Sequence, residues 1–172
     1  MSDELTQSGH VPIAFLPTAL RIAEKRRMTY PKTVDELSFR ACRANFTSTN
    51  DFRWSFPGKW AKASGPFTKS SNPCPSVVGD GLCIARTWSG MASGGIPADL
   101  ILLVGWSNKD VLADSIGKLR VKKAYVVDVF TIFDLIGESE GKGAYLKGAN
   151  LEGAYLKGAY LEGAYNLDKA IR

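Results

Sequence analysis

The hydrophobic pattern near the start of the chain predicts one amphipathic helix over Pro17–Met28 (PTALRIAEKRRM). Proline suits the first turn of a helix, and the Tyr30-Pro31 step disfavours continuing it. Charged side chains occupy one face of this segment. The opposite face is apolar and comprises Leu16, Leu20, Ile22 and Ala23.

Three further segments have the patterns of β-strands. In Leu37–Ala44 (LSFRACRA) side chains alternate in character, which is typical of a strand. Asp99–Trp106 is continuously apolar after its first residue, so we expect a buried strand in the interior of a sheet. Lys118–Phe133 is basic at its start and apolar at its end, and it predicts one long strand.

The segments between these strands predict loops and short helices. Residues 45–78 are rich in proline, serine and threonine, and we expect their aromatic side chains to attach a long loop to the core. Leu82–Met91 and the stretch 111–116 (VLADSI) are each predicted to begin or form a short helix. The order of elements predicts an α+β fold, a compact mixed-sheet domain over residues 14–136. Residues 1–13 are predicted to be a flexible N-terminus, and residues 137–143 a linker.

The C-terminal tail repeats with a period of five. Ala144, Ala149, Ala154 and Ala159 each begin a unit that ends in glycine, and a degenerate fifth unit follows. This period fits neither a heptad nor strict alternation, and a glycine at every fifth position would cost a helix about 1 kcal/mol each. The tail, residues 144–168, is therefore predicted to be a repeat structure in which each unit is stable only by stacking on its neighbours.

This tail resembles the pentapeptide repeats, with alanine and the central leucines Leu146, Leu151, Leu156 and Leu161 at the positions that point inward in that family. The resemblance implies about one coil of a right-handed β-helix, which acts as a cap or as a self-association element. The tail departs from the family pattern in having tyrosine where a small polar residue is usual. Its mixed charges also differ from the acidic rod with which long members of the family mimic DNA. Tyrosine gives a large contact area, so we expect an interaction surface at Tyr145, Tyr155, Tyr160 and Tyr165.

Composition and charge narrow the class of protein. The 172 residues are 45% hydrophobic and 23% charged, as in a globular domain. The apolar run Ala98–Trp106 is about half as long as the ~20 residues that span a membrane, and the polar first ten residues show no secretory signal. We therefore expect a cytoplasmic protein that does not enter a membrane.

The formal net charge is +5, and the basic residues are concentrated between residues 20 and 43. We call these residues the basic face. They could attract nucleic acid or an acidic partner. The alternative is that they form a solvated face of the helix without a binding role. The helical members of the basic face are Arg21, Lys25, Arg26 and Arg27.

The segments before the tail are Phe39–Ser48 (FRACRANFTS), 52–54 (FRW), Cys74-Pro75 and Gly79–Thr87 (GDGLCIART). Together with the tail, they resemble small proteins encoded by phages of actinobacteria. The resemblance implies a phage or prophage setting and no particular activity.

One hypothesis for ligand binding is a nucleotide site with the shape of an ADP-ribosyltransferase, a family that this segment order resembles. Arg40 would lie on the early strand, and Arg86 with the loop Ser93, Gly94 and Gly95 would admit a phosphate, because guanidinium groups and exposed backbone N–H groups suit its charge. No glutamate stands at a convincing catalytic position. The alternative is that the glycines form turns and both arginines are structural.

A second hypothesis is a zinc ion held by Cys42, Cys74, Cys83 and His10, which are valid ligand types. No CxxC spacing supports it, so we expect buried reduced cysteines and neither a metal nor a cofactor. A binding function requires neither a catalytic glutamate nor a metal-ligand motif. We therefore interpret the chain as a non-enzymatic phage accessory protein. It would act by binding a host or phage macromolecule, most simply a protein, and the tail would allow a homo-oligomer.

Overall fold

The computed structural model describes residues 16–87, 90–91, 95–131 and 134–135. The predicted N-terminal segment 1–13, the linker 137–143 and the tail 144–168 lie outside these residues. Within them the chain forms one α-helix and seven β-strands. Their bounds are α1 Leu16–Lys25, β1 Glu36–Cys42, β2 Lys59–Lys62, β3 Leu82–Ala85, β4 Leu100–Trp106, β5 Val111–Asp114, β6 Lys118–Val121 and β7 Lys123–Phe130.

The seven strands form one sheet in the order β2-β7-β4-β1-β3-β6-β5. Every pairing between these strands is antiparallel. The predicted α+β class fits one helix on such a sheet, but the prediction of a mixed sheet is wrong for the described residues. Parallel neighbours need long crossover connections, usually helical, and the strands here are joined by loops, turns and single residues.

The sheet must be strongly curled, as the connection between β6 and β7 shows. Only Lys122 separates these two strands along the chain, yet β4, β1 and β3 lie between them in the sheet. In a flat sheet four strand spacings would amount to about 19 Å, whereas two residues of chain reach only about 7 Å. The sheet therefore bends until β6 and β7 meet at Lys122, whose N–H donates to the carbonyl of Asp110.

The curled sheet has a hydrophobic cluster on each face. One cluster includes Leu102, Val104, Trp106 and Val121, all fully buried. The other cluster lies where α1 packs, and it combines helical residues with the opposite faces of the strands. Its members include Ala19, Ile22, Ala23, Phe39, Ile101, Leu103 and Phe130.

The predicted helix is confirmed, but it ends at Lys25 rather than at Met28. The N–H of Met28 donates to the carbonyl of Ala23, and the N–H of Arg27 donates to that of Glu24. Arg27 has a φ of 57°. This bond pattern with a left-handed residue is a Schellman motif, which ends a helix and satisfies its last carbonyls.

Strands at residues 37–44 and 99–106 are confirmed within a few residues, as β1 and the interior strand β4. Three other predictions are wrong. Leu82–Ala85 is a strand rather than the start of a helix, and Val111–Asp114 is a strand rather than a helix. The predicted long strand 118–133 is two strands. Pairing with neighbours decides each case: β3 and β5 both pair with β6, and β7 pairs with β4 and β2.

Candidate functional site

A buried arginine stands where β1 and β3 separate. These strands pair at one position, Phe39 with Ala85. One residue beyond it, the guanidinium of Arg40 donates from Nη1 to the carbonyl of Cys83 at 3.1 Å and from Nη2 to Oγ1 of Thr49 at 2.7 Å. The Arg40 side chain thus replaces part of the missing hydrogen-bond ladder between the two strands.

Among the described residues, the charge of Arg40 is not paired with a carboxylate. The residue is 7% exposed, its Nε has no hydrogen-bond partner, and none of the ion pairs found among the described residues includes it. Burial lowers the pKa of this guanidinium from its ordinary value, although an arginine stays charged near neutral pH. A buried cation without a counter-charge is costly, so an anion in contact with Arg40 would be stabilised.

Arg40 lines a cavity of about 260 Å³, which we call the Arg40 cavity. The loops on either side are fixed to one another. The indole Nε1 of Trp54 donates to Oγ of Ser48 at 2.9 Å, and Nδ2 of Asn50 donates to the carbonyl of Pro75 at 3.2 Å. The charged side chains that line this cavity are Arg40, Arg53 and Asp51.

Two other residues of the predicted nucleotide site, Arg86 and Gly95, do not line this cavity. Arg86 lines a separate cavity with Leu16 and Glu36. It pairs with Asp114 and lies over the ring of Trp106, 5.2 Å from its centroid. Gly95 lines neither cavity and has a φ of 62°, while Ser93 and Gly94 lie outside the described residues. The structure therefore does not place Arg40 and Arg86 in one cavity.

The helical basic face is partly used inside the molecule. Nη1 of Arg26 donates to both carboxylate oxygens of Asp128 at 3.2 Å and to the carbonyl of Val129 at 3.0 Å. Its guanidinium also lies 5.4 Å from the ring centroid of Phe130. Arg26 therefore attaches α1 to β7. Lys25 and Arg27 are exposed, and Arg21 is partly buried. The tyrosines of the tail lie outside the described part of the chain.

Two of the three cysteines lie together. The Sγ atoms of Cys74 and Cys83 are 3.7 Å apart, and we call these residues the thiol pair. Cys42 is completely buried, and its burial raises the pKa of its thiol to about 12. Within the described ranges, no three histidine, cysteine, aspartate or glutamate side chains are grouped so as to hold a metal ion. His10, the fourth ligand of the zinc hypothesis, lies outside those ranges.

Sequence reasoning missed Lys118, which completes the surroundings of the thiol pair. Its buried ammonium donates to Sγ of Cys74 at 3.2 Å. The only signal in the sequence was the alternation of Lys118 and Arg120 with Leu119 and Val121, which places two cations on one face of a strand. The 44 residues between Lys118 and Cys74 hide the contact from any local pattern.

The comparisons with known proteins concern the tail. Residues 142–170 match the protein family described as "Pentapeptide repeats (8 copies)". The tail is therefore similar to this repeat family. Such repeats are often protein-interaction or structural modules. Neither the curated proteins nor the solved structures contain a match to this chain. In the described part of the chain, no helix has the length and apolar character needed to cross a membrane.

Proposed function

We propose that this chain is a phage accessory protein that acts by binding a macromolecule, most simply a protein, through its pentapeptide-repeat tail. The observation that carries the proposal is the match of residues 142–170 to a repeat family often used for interactions. A repeat segment of this length supplies little more than one coil, and one coil buries too little surface to be stable alone. Its ends therefore need a partner, either the preceding domain, a second copy or another protein.

The antiparallel domain would then serve as the folded body that carries the tail. Its two hydrophobic clusters lie on opposite faces of one curled sheet, so the described residues form a core without the tail. The exposed residues Lys25 and Arg27, together with the partly buried Arg21, would favour an acidic partner surface by long-range attraction. Host-cell cytoplasm is the compartment that this proposal implies.

The test uses the tagged full chain in a pull-down from host-cell lysate, with and without nuclease, together with sedimentation velocity. Leu151→Lys with Leu156→Lys places charges at inward positions of the repeat. Glu152→Lys is the matched control at a position that the repeat leaves free. We expect a specific protein, or a second copy of the chain, to bind the wild type and the control but not the double-leucine variant.

Other outcomes would contradict this proposal. Capture that is lost on nuclease treatment would indicate nucleic acid bound by the basic face. A monomer that captures nothing, or capture that the leucine substitutions leave unchanged, would mean that the tail is not an interaction element.

A second candidate function is the binding of a small anionic ligand such as a nucleotide, and the Arg40 cavity favours it. The cavity holds a buried guanidinium whose Nε lacks a partner. Its volume is near the lower end of ligand sites, which suits a phosphate-bearing group better than a large cofactor. The test is isothermal titration with ATP, NAD and inorganic phosphate.

Arg40→Gln should weaken binding of the preferred anion at least about tenfold, since a charge-assisted hydrogen bond contributes about 1.5–3 kcal/mol. Arg86→Gln, in the separate cavity, is the matched control and should bind like the wild type. Equal losses in both variants would show that the two arginines act together, which would contradict a site built on the Arg40 cavity alone. Absence of binding for all three compounds would remove this second candidate.

A further inference from the structure

The thiol pair is held in a defined geometry by the loop before β3. Cys74 lies between Pro73 and Pro75, whose rings restrict the backbone on either side. Its N–H donates to Oδ1 of Asn72 at 2.9 Å, which fixes the turn. Cys83 lies on β3, which pairs with β6. One sulfur is thus carried by a loop and the other by a strand in the sheet.

The charges around the pair favour a thiolate at Cys74. Lys118 is buried, it forms no ion pair with a carboxylate among those found in the described residues, and Sγ of Cys74 accepts its hydrogen bond. Arg40 is a second buried cation whose charge acts on the same sulfur. Since no ion pair found among the described residues includes either cation, a thiolate at Cys74 is an anion that can balance their charge.

The two thiols differ in their accessibility and acidity. Cys74 is half-buried, whereas Cys83 is 7% exposed. The hydrogen bond from Cys83, and then those of Lys118, lower the pKa of the Cys74 thiol. The pKa of Cys83 is raised by its bond to Cys74 and by burial. Cys74 is therefore the nucleophile that meets solvent, and Cys83 is a protonated thiol next to it.

We propose that Cys74 and Cys83 form a thiol–disulfide exchange site, in which Cys74 attacks an external disulfide and Cys83 resolves the product. Lys118 is the positioning residue that holds the Cys74 thiolate. The site is independent of the proposed function of the tail. Cys42 takes no part, because it is completely buried in the hydrophobic cluster that includes Leu102 and Trp106.

The exchange balances in two steps. The Cys74 thiolate forms a bond to one sulfur of the external disulfide, whose S–S bond breaks, and the first external thiolate leaves and takes a proton from water. Cys83 then loses its proton to solvent and its sulfur attacks Sγ of Cys74, which releases the second external thiolate. The external disulfide is reduced to two thiols, and the two protein thiols are oxidised to one disulfide.

The structure is compatible with the second step, the formation of a disulfide between Cys74 and Cys83. The sulfurs must approach from 3.7 Å to about 2.05 Å. Cys74 lies outside every strand of the sheet, so the approach of its sulfur does not require the strand pairing of β3 to change.

The test uses the reduced full chain and oxidised glutathione, with products identified by intact mass and peptide mapping. We expect the wild type to form the Cys74–Cys83 disulfide. Cys83→Ser should accumulate a mixed disulfide with glutathione on Cys74, and Cys74→Ser should form neither product at comparable rate. Cys42→Ala is the control and should behave like the wild type.

A second measurement needs no cysteine variant, so a folding defect cannot obscure it. The rate of alkylation of Cys74 by iodoacetamide should have its pH midpoint well below the ordinary thiol value of about 8.5. Lys118→Met should raise that midpoint by about one pH unit or more. A wild-type midpoint at the ordinary value, or a Cys83→Ser protein that accumulates no mixed disulfide, would overturn the proposal.

Discussion

Two cations on one face of β6, Lys118 and Arg120, have opposite surroundings, although only Leu119 separates them. Arg120 is 1% exposed, and its guanidinium pairs with Asp80 and donates from Nη2 to the carbonyls of Thr68 and Ser70 at 3.3 and 2.6 Å. Lys118 is 7% exposed and donates to a cysteine sulfur. The first charge is paired with a carboxylate, whereas the second contacts a sulfur that neutralises it only as a thiolate.

The surroundings of Arg120 are those of a structural ion pair. The carboxylate of Asp80 also accepts hydrogen bonds from the N–H and the hydroxyl of Thr68, at 2.7 and 2.6 Å. Gly81 has a φ of 96°, and a Cβ on it would lie 2.6 Å from Cγ of Arg120. Backbone, carboxylate and guanidinium are thus fitted to one another, which leaves no place for a reacting molecule.

The partner of Lys118, unlike that of Arg120, can change its protonation state near neutral pH. A thiol can take up or release a proton near neutral pH, because its ordinary pKa is about 8.5. A carboxylate at Asp80 cannot do so. Arg120 therefore stabilises the fold, whereas Lys118 controls the reactivity of the cysteine beside it.

The largest effect is expected from Arg120→Met. This change leaves the Asp80 carboxylate without its buried cation, and breaking a buried pair in this way costs about 3–5 kcal/mol of unfolding free energy. Urea denaturation followed by circular dichroism measures it. Asp114→Asn, which removes the partly exposed ion pair of Arg86, is the control and should cost less than about 1 kcal/mol. Equal losses would show that burial does not distinguish the two pairs.

Lowering the pH is expected to decrease the free energy of unfolding by less than Arg120→Met does. Hydrogen bonds from Thr68, and then Arg120, lower the pKa of Asp80, and hydrogen bonds from Ser107 and Asn108 lower that of Asp35. A carboxyl whose pKa is lower in the folded state contributes its full stability above its unfolded pKa of about 3.9. That contribution is lost as the pH falls through the folded pKa.

Urea midpoints between pH 7 and pH 3 should therefore decrease on the acid side. Asp80→Asn should be less stable than the wild type at pH 7, and the gap should narrow toward pH 3. A gap that stays constant with pH would mean that the charge of Asp80 does not contribute to stability.

The smallest effect on stability is expected from Lys118→Met, the same substitution two residues away from Arg120. Cys74 can take a proton once the ammonium is gone, so no buried charge is left without a partner. We expect the unfolding free energy to change by no more than about 1 kcal/mol, measured in the same urea experiment. A loss as large as that of Arg120→Met would identify Lys118 as a structural cation.

Much of the local structure followed from the sequence because short-range physics fixes it. The apolar face of α1 and the continuous apolar run of β4 require burial in any fold. The period of five in the tail is a property of the chain itself, and the match over residues 142–170 agrees with it. Arg40 was a candidate because the order of segments resembles the ADP-ribosyltransferases, which commonly place an arginine or histidine on an early strand.

Tertiary structure alone decided the strand pairing and the candidate sites. The single residue Lys122 divides one predicted strand into β6 and β7, because the curled sheet offers each half different neighbours. The same curl places Lys118 beside Cys74 and separates Arg86 from the Arg40 cavity. Local sequence determines which side chains must be buried, whereas their partners depend on contacts between residues far apart in the chain.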